Sequence, residues 1–262
     1  MTQHKDSPGR VVAVATLVCV VCAVLVSAAV VLLRPVQDRN ALLQRQRNIL
    51  EVAGLYQPGQ RVEAQFERVE ARVVDLASGD YVEGGDALRF DIARSARDPK
   101  LGEPVAAAAD VAKIHRRPRS MPVFLVRGDD GLETVILPVH GYGLWSTMYG
   151  FLALEGDGQT VKGLTFYRHG ETPGLGGEID NPSWQAKWVG KQALAADGDV
   201  LLRVVKGEPR GQGIEHQVDG LAGSTLTARG VENLVHYWLG EQGFGPYLAR
   251  LRAASGGAAD EA

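Results

Sequence analysis

The sequence is poor in cysteine: only Cys19 and Cys22 occur among 262 residues. Two thiols cannot build a disulfide framework or an iron–sulfur site, and we interpret them as small apolar helix residues. The six histidines lack the spacing of metal ligands. Basic residues are not in excess either, since 28 basic and 31 acidic side chains give a formal net charge of −3, which argues against a protein that wraps nucleic acid. The sequence predicts no metal site and no nucleic-acid partner.

Two further motifs are missing. No glycine fingerprint for a dinucleotide follows a predicted strand, and no acid–base triad can be recognised. We therefore predict no catalytic residue in this chain.

An uncharged segment lies close to the N-terminus. Residues Val11 to Leu33 contain no charge, proline or glycine. As a helix they would be about 34 Å long, enough to cross a hydrocarbon core of about 30 Å. A cleaved signal peptide is the alternative, because residues 27–29 are small, but the apolar core of a signal peptide is shorter, about 7 to 15 residues. We predict one retained transmembrane helix and a membrane-bound protein.

The charges beside this helix favour one orientation. Basic residues after the helix outnumber those before it. The residues before it are Lys5 and Arg10, and those after it are Arg34, Arg39, Arg45 and Arg47. Taken alone, the excess of positive charge after the helix favours a cytoplasmic location for the rest of the chain.

The soluble part changes from helical to strand periodicity. Residues 36–54 predict a helical stalk that continues the membrane helix, and Val62 to Leu76 have apolar residues at spacings of three and four, which predicts a second helix ending near Gly79. The stretch up to Ser120 has no clear pattern. Further strands and helices are predicted at Val123–Val126, Thr134–Val139, Ser146–Leu154, Val161–Tyr167, around Trp184 and Trp188, at Val200–Val205 and at Arg229–Leu239.

These elements predict an α+β fold. Strands and helices segregate along the chain, which favours a largely antiparallel sheet flanked by helices, with one N-terminal transmembrane helix in addition. The predicted organisation is a cytoplasmic tail at 1–10, the transmembrane helix at 11–33, a helical stalk and linker at 34–120, the main domain at 121–252 and a disordered tail at 253–262.

Two glycine-rich loops stand out. Residues 171–177 (Glu-Thr-Pro-Gly-Leu-Gly-Gly) permit a close approach to the backbone, although a plain turn would have the same composition. Residues 219–227 (Asp-Gly-Leu-Ala-Gly-Ser-Thr-Leu-Thr) precede an amphipathic helix, where unpaired N–H groups favour a phosphate. The alternative for this loop is a simple Ser or Thr N-cap.

Together with residues 141–151 (Gly-Tyr-Gly-Leu-Trp-Ser-Thr-Met-Tyr-Gly-Phe), the two loops resemble those of the NqrC family, which belongs to the bacterial sodium-translocating NADH:quinone oxidoreductases. The resemblance covers essentially the whole chain. In that family the signature Asp-Gly-x-Ser-Gly-Ala-Thr-x-Thr carries FMN as a phosphoester on its last threonine, which matches Thr227. Ala222 and Ser224 depart from the signature, each exchanging one small residue for another, and Ala222 removes any role for a hydroxyl there.

The resemblance implies a set of cofactor-binding residues around a covalent FMN. The remaining motif residues are Asp219, Gly220, Gly223, Ser224, Thr225 and Leu226, and the residues expected beside the flavin are Trp145, Glu171, Thr172, Leu175 and Gly176.

The resemblance also implies the function and the partners. The chain is expected to relay electrons while NADH is oxidised and ubiquinone is reduced, coupled to sodium export, and not to be catalytic alone. Its partners would be the five other members (A, B, D, E and F) of a six-subunit complex in the bacterial inner membrane, together with a flavin transferase that uses FAD. The FMN domain would be periplasmic, against the arginine count.

Three alternatives stay open. The equivalent FMN subunit (G) of the Rnf ferredoxin:NAD oxidoreductase shares both loops, although residues 144–150 favour the NADH:quinone enzyme. A membrane-tethered binding module without cofactor would use both loops as turns. An independent flavin enzyme would need a base near the ring, for which Glu171 is the obvious candidate.

Overall fold

A computed structural model describes residues 7–128 and 131–259, with the backbone alone from residue 255 onward. The chain separates into two compact units, Met1–Gln44 and Arg45–Ala262. The helix α1 (Pro8–Val52) begins in the first unit and ends in the second.

Helix α1 contains both the predicted membrane segment and the predicted stalk. Its most apolar stretch has a mean hydropathy of 3.0 and no buried residue, and α1 is the one helix of the described residues long and apolar enough to cross a membrane. Pro35 lies inside α1 without ending it, at the loss of one backbone hydrogen bond. Residues 8–10 of the predicted tail belong to α1, and residues 1–6 lie outside the described part.

The predicted helix from Val62 to Leu76 is wrong beyond its first turn. The helix α2 (Val62–Phe66) is followed by the strand β1 (Val69–Asp75). All seven residues of β1 pair with a later strand, and its residues Val73 and Val74 are buried. The apolar spacings of three and four therefore gave a wrong prediction of a helix for β1. Its β-branched residues fit a buried strand, and pairing with another strand outweighs local periodicity.

A six-stranded sheet forms the centre of the second unit, and every neighbouring pair in it is antiparallel. The α+β prediction with a largely antiparallel sheet is confirmed. The remaining strands of the sheet are β2 (Tyr81–Val82), β5 (Ser120–Gly128), β6 (Gly131–Tyr142), β7 (Thr147–Glu155) and β8 (Val161–Arg168), in the order β2-β1-β5-β6-β7-β8. The predicted strands between 123 and 167 lie within the four longer strands β5 to β8, except that Ser146 precedes the start of β7 by one residue.

Short elements fill the stretch that the sequence left unassigned. They are α3 (Ile92–Arg97) and the antiparallel pair β3 (Gly102–Pro104) and β4 (Arg116–Pro118). Further along, β9 (Arg203–Val205) covers half of the strand predicted from Val200 and pairs in parallel with β10 (Gln217–Asp219).

The helices after the sheet are α4 (Pro182–Gln185), α5 (Thr225–Leu239) and α6 (Gly245–Ala259), with 3₁₀ turns at Gly176–Asp180, Ala186–Trp188 and Ile214–His216. Helix α5 begins four residues before its predicted start. Helix α6 includes residues 253–259 of the tail that was expected to be disordered, and residues 260–262 lie outside the described residues. Buried Tyr247 and Leu248 anchor α6, and alanine readily extends an existing helix.

The sheet has an apolar core on each face. One core contains Leu137, Leu152 and Trp238 and packs α5 against the sheet. The other contains Ile49 and Leu50 from the end of α1, together with Phe66, Phe124, Ile136 and Phe151. The expected boundary at residue 121 is therefore not observed, because β1 and the last turns of α1 belong to the same unit as residues 121–252.

Candidate functional site

The first turn of α5 places Thr227 at the centre of a small polar cluster. Its side chain is fully buried. The hydroxyl of Thr227 donates a hydrogen bond to Oε2 of Glu171 over 2.6 Å and accepts one from Oγ of Ser224 over 3.0 Å. The two loops singled out in the sequence, 171–177 and 219–227, therefore meet at this threonine.

Ser224 occupies the N-cap position of α5 without acting as a side-chain cap. It makes no hydrogen bond to the N–H groups of the first turn, because its hydroxyl points to Thr227. The simple N-cap interpretation of this loop is thus not what the structure has. The positive end of the α5 dipole is left without a side-chain partner at this position.

Glu171 follows β8 and connects the cluster to the turn between β6 and β7. Its Oε1 accepts the backbone N–H groups of Trp145 and Ser146 over 3.0 and 3.2 Å, and its Oε2 accepts that of Leu144 over 3.2 Å. Burial by itself raises the pKa of the Glu171 carboxyl, but the hydrogen bonds from Thr227 and this backbone outweigh it, so the pKa lies below its usual value. The carboxylate is therefore ionised at neutral pH.

Gly176 brings its backbone directly against the cluster. A Cβ atom built on Gly176 would lie 2.5 Å from Oγ1 of Thr227, 2.9 Å from Oε2 of Glu171 and 3.1 Å from Oγ of Ser224. These distances are shorter than van der Waals contact, so only glycine allows this approach. The loop 171–177 is held in shape by the N–H groups of Leu175 and Gly177, which both donate to the carbonyl of Thr172.

Large apolar side chains remain exposed on the segments that meet at Thr227. The exposed fraction is 65% for Trp145, 46% for Leu175 and 55% for Leu226. Leu175 also covers Gly223, where an added Cβ would lie 3.2 Å from its Cδ2 atom. Exposed apolar groups around a buried polar centre are typical of a binding site for a partly apolar ligand.

Apart from Asp219 and Gly220, the predicted site residues divide into three groups. Thr227, Ser224, Glu171 and Gly176 are in mutual contact, and Trp145, Leu175 and Gly223 border them. Thr172, Thr225 and Leu226 are exposed.

Asp219 does not join the cluster. Its carboxylate accepts from Nζ of Lys187 over 2.6 Å, and its carbonyl accepts from the indole of Trp184 over 2.8 Å. Asp219 therefore fixes the start of the 219–227 loop against the α4 region.

The sequence missed the part played by Leu144 and Ser146, which act through backbone N–H groups that no side-chain pattern records. The stretch 141–151, which contains both residues and resembles the family, was the one signal in the sequence that pointed to this turn. Gly143 in that stretch is a second close approach, because a Cβ atom there would lie 2.6 Å from Oε1 of Glu171.

Within the described residues no group of His, Cys, Asp and Glu could hold a metal ion. His169 lies near the site and supports it: its Nδ1 accepts the N–H of Glu171 over 3.1 Å, and its Nε2 lies 2.7 Å from Oδ2 of Asp180. The ring must then carry its proton on Nε2.

Known proteins match this chain over the site and beyond it. Residues 143–240 match the family model described as the FMN-binding domain. Among curated proteins, the C subunit of the Na(+)-translocating NADH-quinone reductase of Pseudomonas aeruginosa is 52% identical, with 95% of this chain and 98% of the relative covered. The same subunit from Yersinia pestis is 46% identical, with 95% of each chain covered.

Solved structures agree with the sequence relatives. The crystal structure of Shewanella oneidensis NqrC matches with a TM-score of 0.75 and 35% identity, covering 80% of this chain and 97% of that one. The corresponding Na(+)-translocating NADH-quinone reductase subunit from Parabacteroides distasonis matches with a TM-score of 0.64 and 29% identity, covering 82% and 96%.

Proposed function

Because this chain belongs to the NqrC family of the Na(+)-translocating NADH-quinone reductases, and is thus one subunit of that enzyme, we propose that it carries FMN on Thr227. The linkage is a phosphoester, and the subunit relays electrons between other redox centres of the complex. When bound, FMN supplies the redox chemistry, and the protein supplies position and electrostatics.

The observation that carries this proposal is the setting of the Thr227 hydroxyl. It is held by Glu171 and Ser224 in the first turn of α5, directly beneath Gly176. An ester at this oxygen puts its phosphate beside the helix N-terminus. Because Ser224 does not cap that turn, the N–H groups there are available to an anion.

Exposed side chains suit the flavin ring. Trp145, Leu175 and Leu226 offer apolar surface next to Thr227 and would shield the ring from water, with Thr172 and Gly176 beside them. Reaching the hydroxyl requires a movement of the loop, since Thr227 is fully buried while Leu175 above it is exposed. We infer that a separate flavin transferase, as the family resemblance implies, attaches the FMN from FAD while residues 174–176 are displaced.

The rest of the chain is consistent with an electron carrier that is anchored in a membrane. Helix α1 anchors the protein in the bacterial inner membrane, with the second unit in the periplasm. The five other members of the complex (A, B, D, E and F) supply NADH oxidation, the quinone site and sodium export. The described residues of this chain contain one candidate membrane span and no group of residues that could hold a metal ion.

The test is the intact mass of the full chain co-expressed with its transferase. We expect one added FMN, less one water, in the wild type and in Thr227→Ser, and no addition in Thr227→Ala. Ser183→Ala is the control, because Ser183 is an exposed hydroxyl residue outside both loops, and this variant should retain the flavin. Flavin fluorescence on a denaturing gel should follow the masses. A flavin that persists in Thr227→Ala would overturn the proposal.

A further inference from the structure

The Thr227 hydroxyl has a geometry that a plain attachment point does not need. Its proton points to a carboxylate oxygen 2.6 Å away, and that carboxylate is itself held by three backbone N–H groups. We propose that Glu171 prepares Thr227 for esterification: it orients the hydroxyl and takes up its proton as the phosphoester bond forms. This inference rests on the proposed attachment of FMN at Thr227.

The arrangement has the three parts of an activated nucleophile. A hydroxyl and a base lie within hydrogen-bond reach, and a third group orients the base. Here the third group is the backbone of Leu144, Trp145 and Ser146, which fixes both oxygens of Glu171. The same hydrogen bonds keep the carboxylate in its ionised form, which is the form that has an oxygen free of protons facing the hydroxyl.

Ser224 completes the preparation of the oxygen. It donates to Oγ1 of Thr227 over 3.0 Å, so the hydroxyl is fixed by one bond that it donates and one that it accepts. One lone pair of Oγ1 stays available for attack on phosphorus. As the proton leaves toward Glu171, the Ser224 O–H stabilises the negative charge that grows on Oγ1.

The step balances without any oxidation or reduction. The Oγ1–H bond of Thr227 breaks and a bond forms between Oγ1 and the FMN phosphorus of FAD, supplied by the transferase. The P–O bond of the FAD pyrophosphate breaks, and AMP leaves with its electron pair. The proton passes to Glu171 and from there to AMP or solvent.

A purely structural role for Glu171 is the alternative, because its carboxylate also closes the turn that carries Trp145. The rate of esterification and its pH dependence distinguish a proton-accepting Glu171 from a purely structural one. Glutamine keeps the size and one acceptor oxygen, but it cannot take up a proton near neutral pH. Glu178 provides the matched control, since it lies in the adjoining 3₁₀ turn and accepts a hydrogen bond from Asn181 over 2.9 Å.

The experiment uses the full chain in detergent, purified from cells without the transferase. Purified transferase and FAD are added, and intact mass is followed with time at several pH values. Glu171→Gln should be esterified at least about tenfold more slowly, in line with the contribution of a general base. The rate of esterification of Glu171→Gln should rise with pH between about 6 and 9, a range that lies above the ordinary carboxyl pKa. The wild type and Glu178→Gln should be esterified fast, at a rate nearly independent of pH.

The outcomes keep the two proposals apart. If the wild type is esterified at Thr227 and Glu171→Gln reacts equally fast with the same pH profile, the role of Glu171 is overturned and the attachment stands. If the wild type gains no flavin, or gains it elsewhere, the attachment itself is wrong.

A second measurement covers the case in which Glu171→Gln does not fold. The carboxyl carbon of Glu171 is titrated by NMR in the unmodified wild type and in Thr227→Ala. The pKa of Glu171 should be higher in Thr227→Ala, because a hydrogen bond to the ionised form is lost. An identical pKa in both proteins would mean that the hydroxyl does not act on this carboxylate, and would overturn the inference.

Discussion

Gly176 is the residue at which one added carbon atom most directly affects the site. We expect Gly176→Ala to destabilise the protein by about 1–3 kcal/mol, as overpacking does, because the new Cβ meets Oγ1 of Thr227 at 2.5 Å. We also expect less flavin on this variant than on the wild type, since the methyl group meets the acceptor oxygen whenever residues 174–176 return to their place beside it. Thermal unfolding and intact mass measure the two effects.

Gly174→Ala separates these effects. Gly174 has a φ of +75° and no heavy atom within 4 Å of an added Cβ, so alanine there costs about 1–2 kcal/mol of backbone strain without blocking the site. This variant should keep its flavin at a similar loss of stability. Equal loss of flavin in both variants would assign the effect to instability rather than to the space above Thr227.

His140 makes the stability of the protein depend on acid. Burial, with a smaller effect of Arg168, lowers the pKa of His140 to about 4, and its ring packs between Tyr149 and Trp238. The unfolded chain binds the proton with a pKa near 6.5, so the contribution is complete above pH 6.5 and is lost as the pH falls toward 4. The loss reaches about 3 kcal/mol.

Urea denaturation at pH 7 and pH 4.5 measures this dependence. In His140→Phe, which cannot be protonated, the decrease in the free energy of unfolding between these pH values should be smaller than in the wild type. The imidazole proton signal of His140 should stay that of the neutral ring down to about pH 5, one unit above its pKa of about 4. A ring already charged at pH 6 would contradict the prediction.

At the scale of elements, the sequence predicted strands where alternation and turn signals coincide and failed where they conflict. β6, β7 and β8 were found because each has a run of β-branched and aromatic residues, and glycine-containing turns separate them. β1 was missed because its valines also satisfy a helical spacing, and only its pairing with β5 decides between the two.

The site could be predicted only in part for a related reason. Each loop carried a signal of its own, glycines in one and hydroxyls before a helix in the other. Their contact joins Glu171 and Thr227, which are 56 residues apart, and local sequence contains no information on that pairing. Asp219 shows the limit of motif matching, since its carboxylate binds Lys187 and not the acceptor threonine.

The end of helix α1 is buried in the folded core, whereas its apolar segment is exposed. Substitutions in the two parts should therefore differ in their effect on stability. Leu50 is fully buried in the core formed with Phe124 and Phe151, whereas Leu33 is 52% exposed. Leu50→Ala should therefore lower the free energy of unfolding by about 2–5 kcal/mol, through lost burial and a cavity. Leu33→Ala, the same change in the same helix, should alter it by less than about 0.5 kcal/mol.

Denaturation of the full chain in detergent, followed by tryptophan fluorescence, compares the two variants. Similar losses for both would mean that the end of α1 is not part of the folded core.

For the whole molecule, the property to test is the side of the membrane on which the second unit lies. Four arginines follow the apolar segment, yet two of them are engaged within the folded unit. Arg45 donates to the carbonyl of Phe90 over 2.8 Å, and Arg47 pairs with Glu51 over 2.7 Å. Long domains also translocate largely regardless of their charge. The arginine count is therefore a weak argument against a periplasmic location.

Cysteine labelling decides between the two orientations. With Cys19 and Cys22 changed to alanine, Arg61→Cys provides a thiol at a position where the native side chain is 80% exposed. Ser7→Cys provides one before the apolar segment, also at an exposed position. In cells with a permeabilised outer membrane, a membrane-impermeant maleimide should label Arg61→Cys at once and Ser7→Cys only after the inner membrane is opened. The reverse pattern would place the second unit in the cytoplasm, where the arginine count alone would have it.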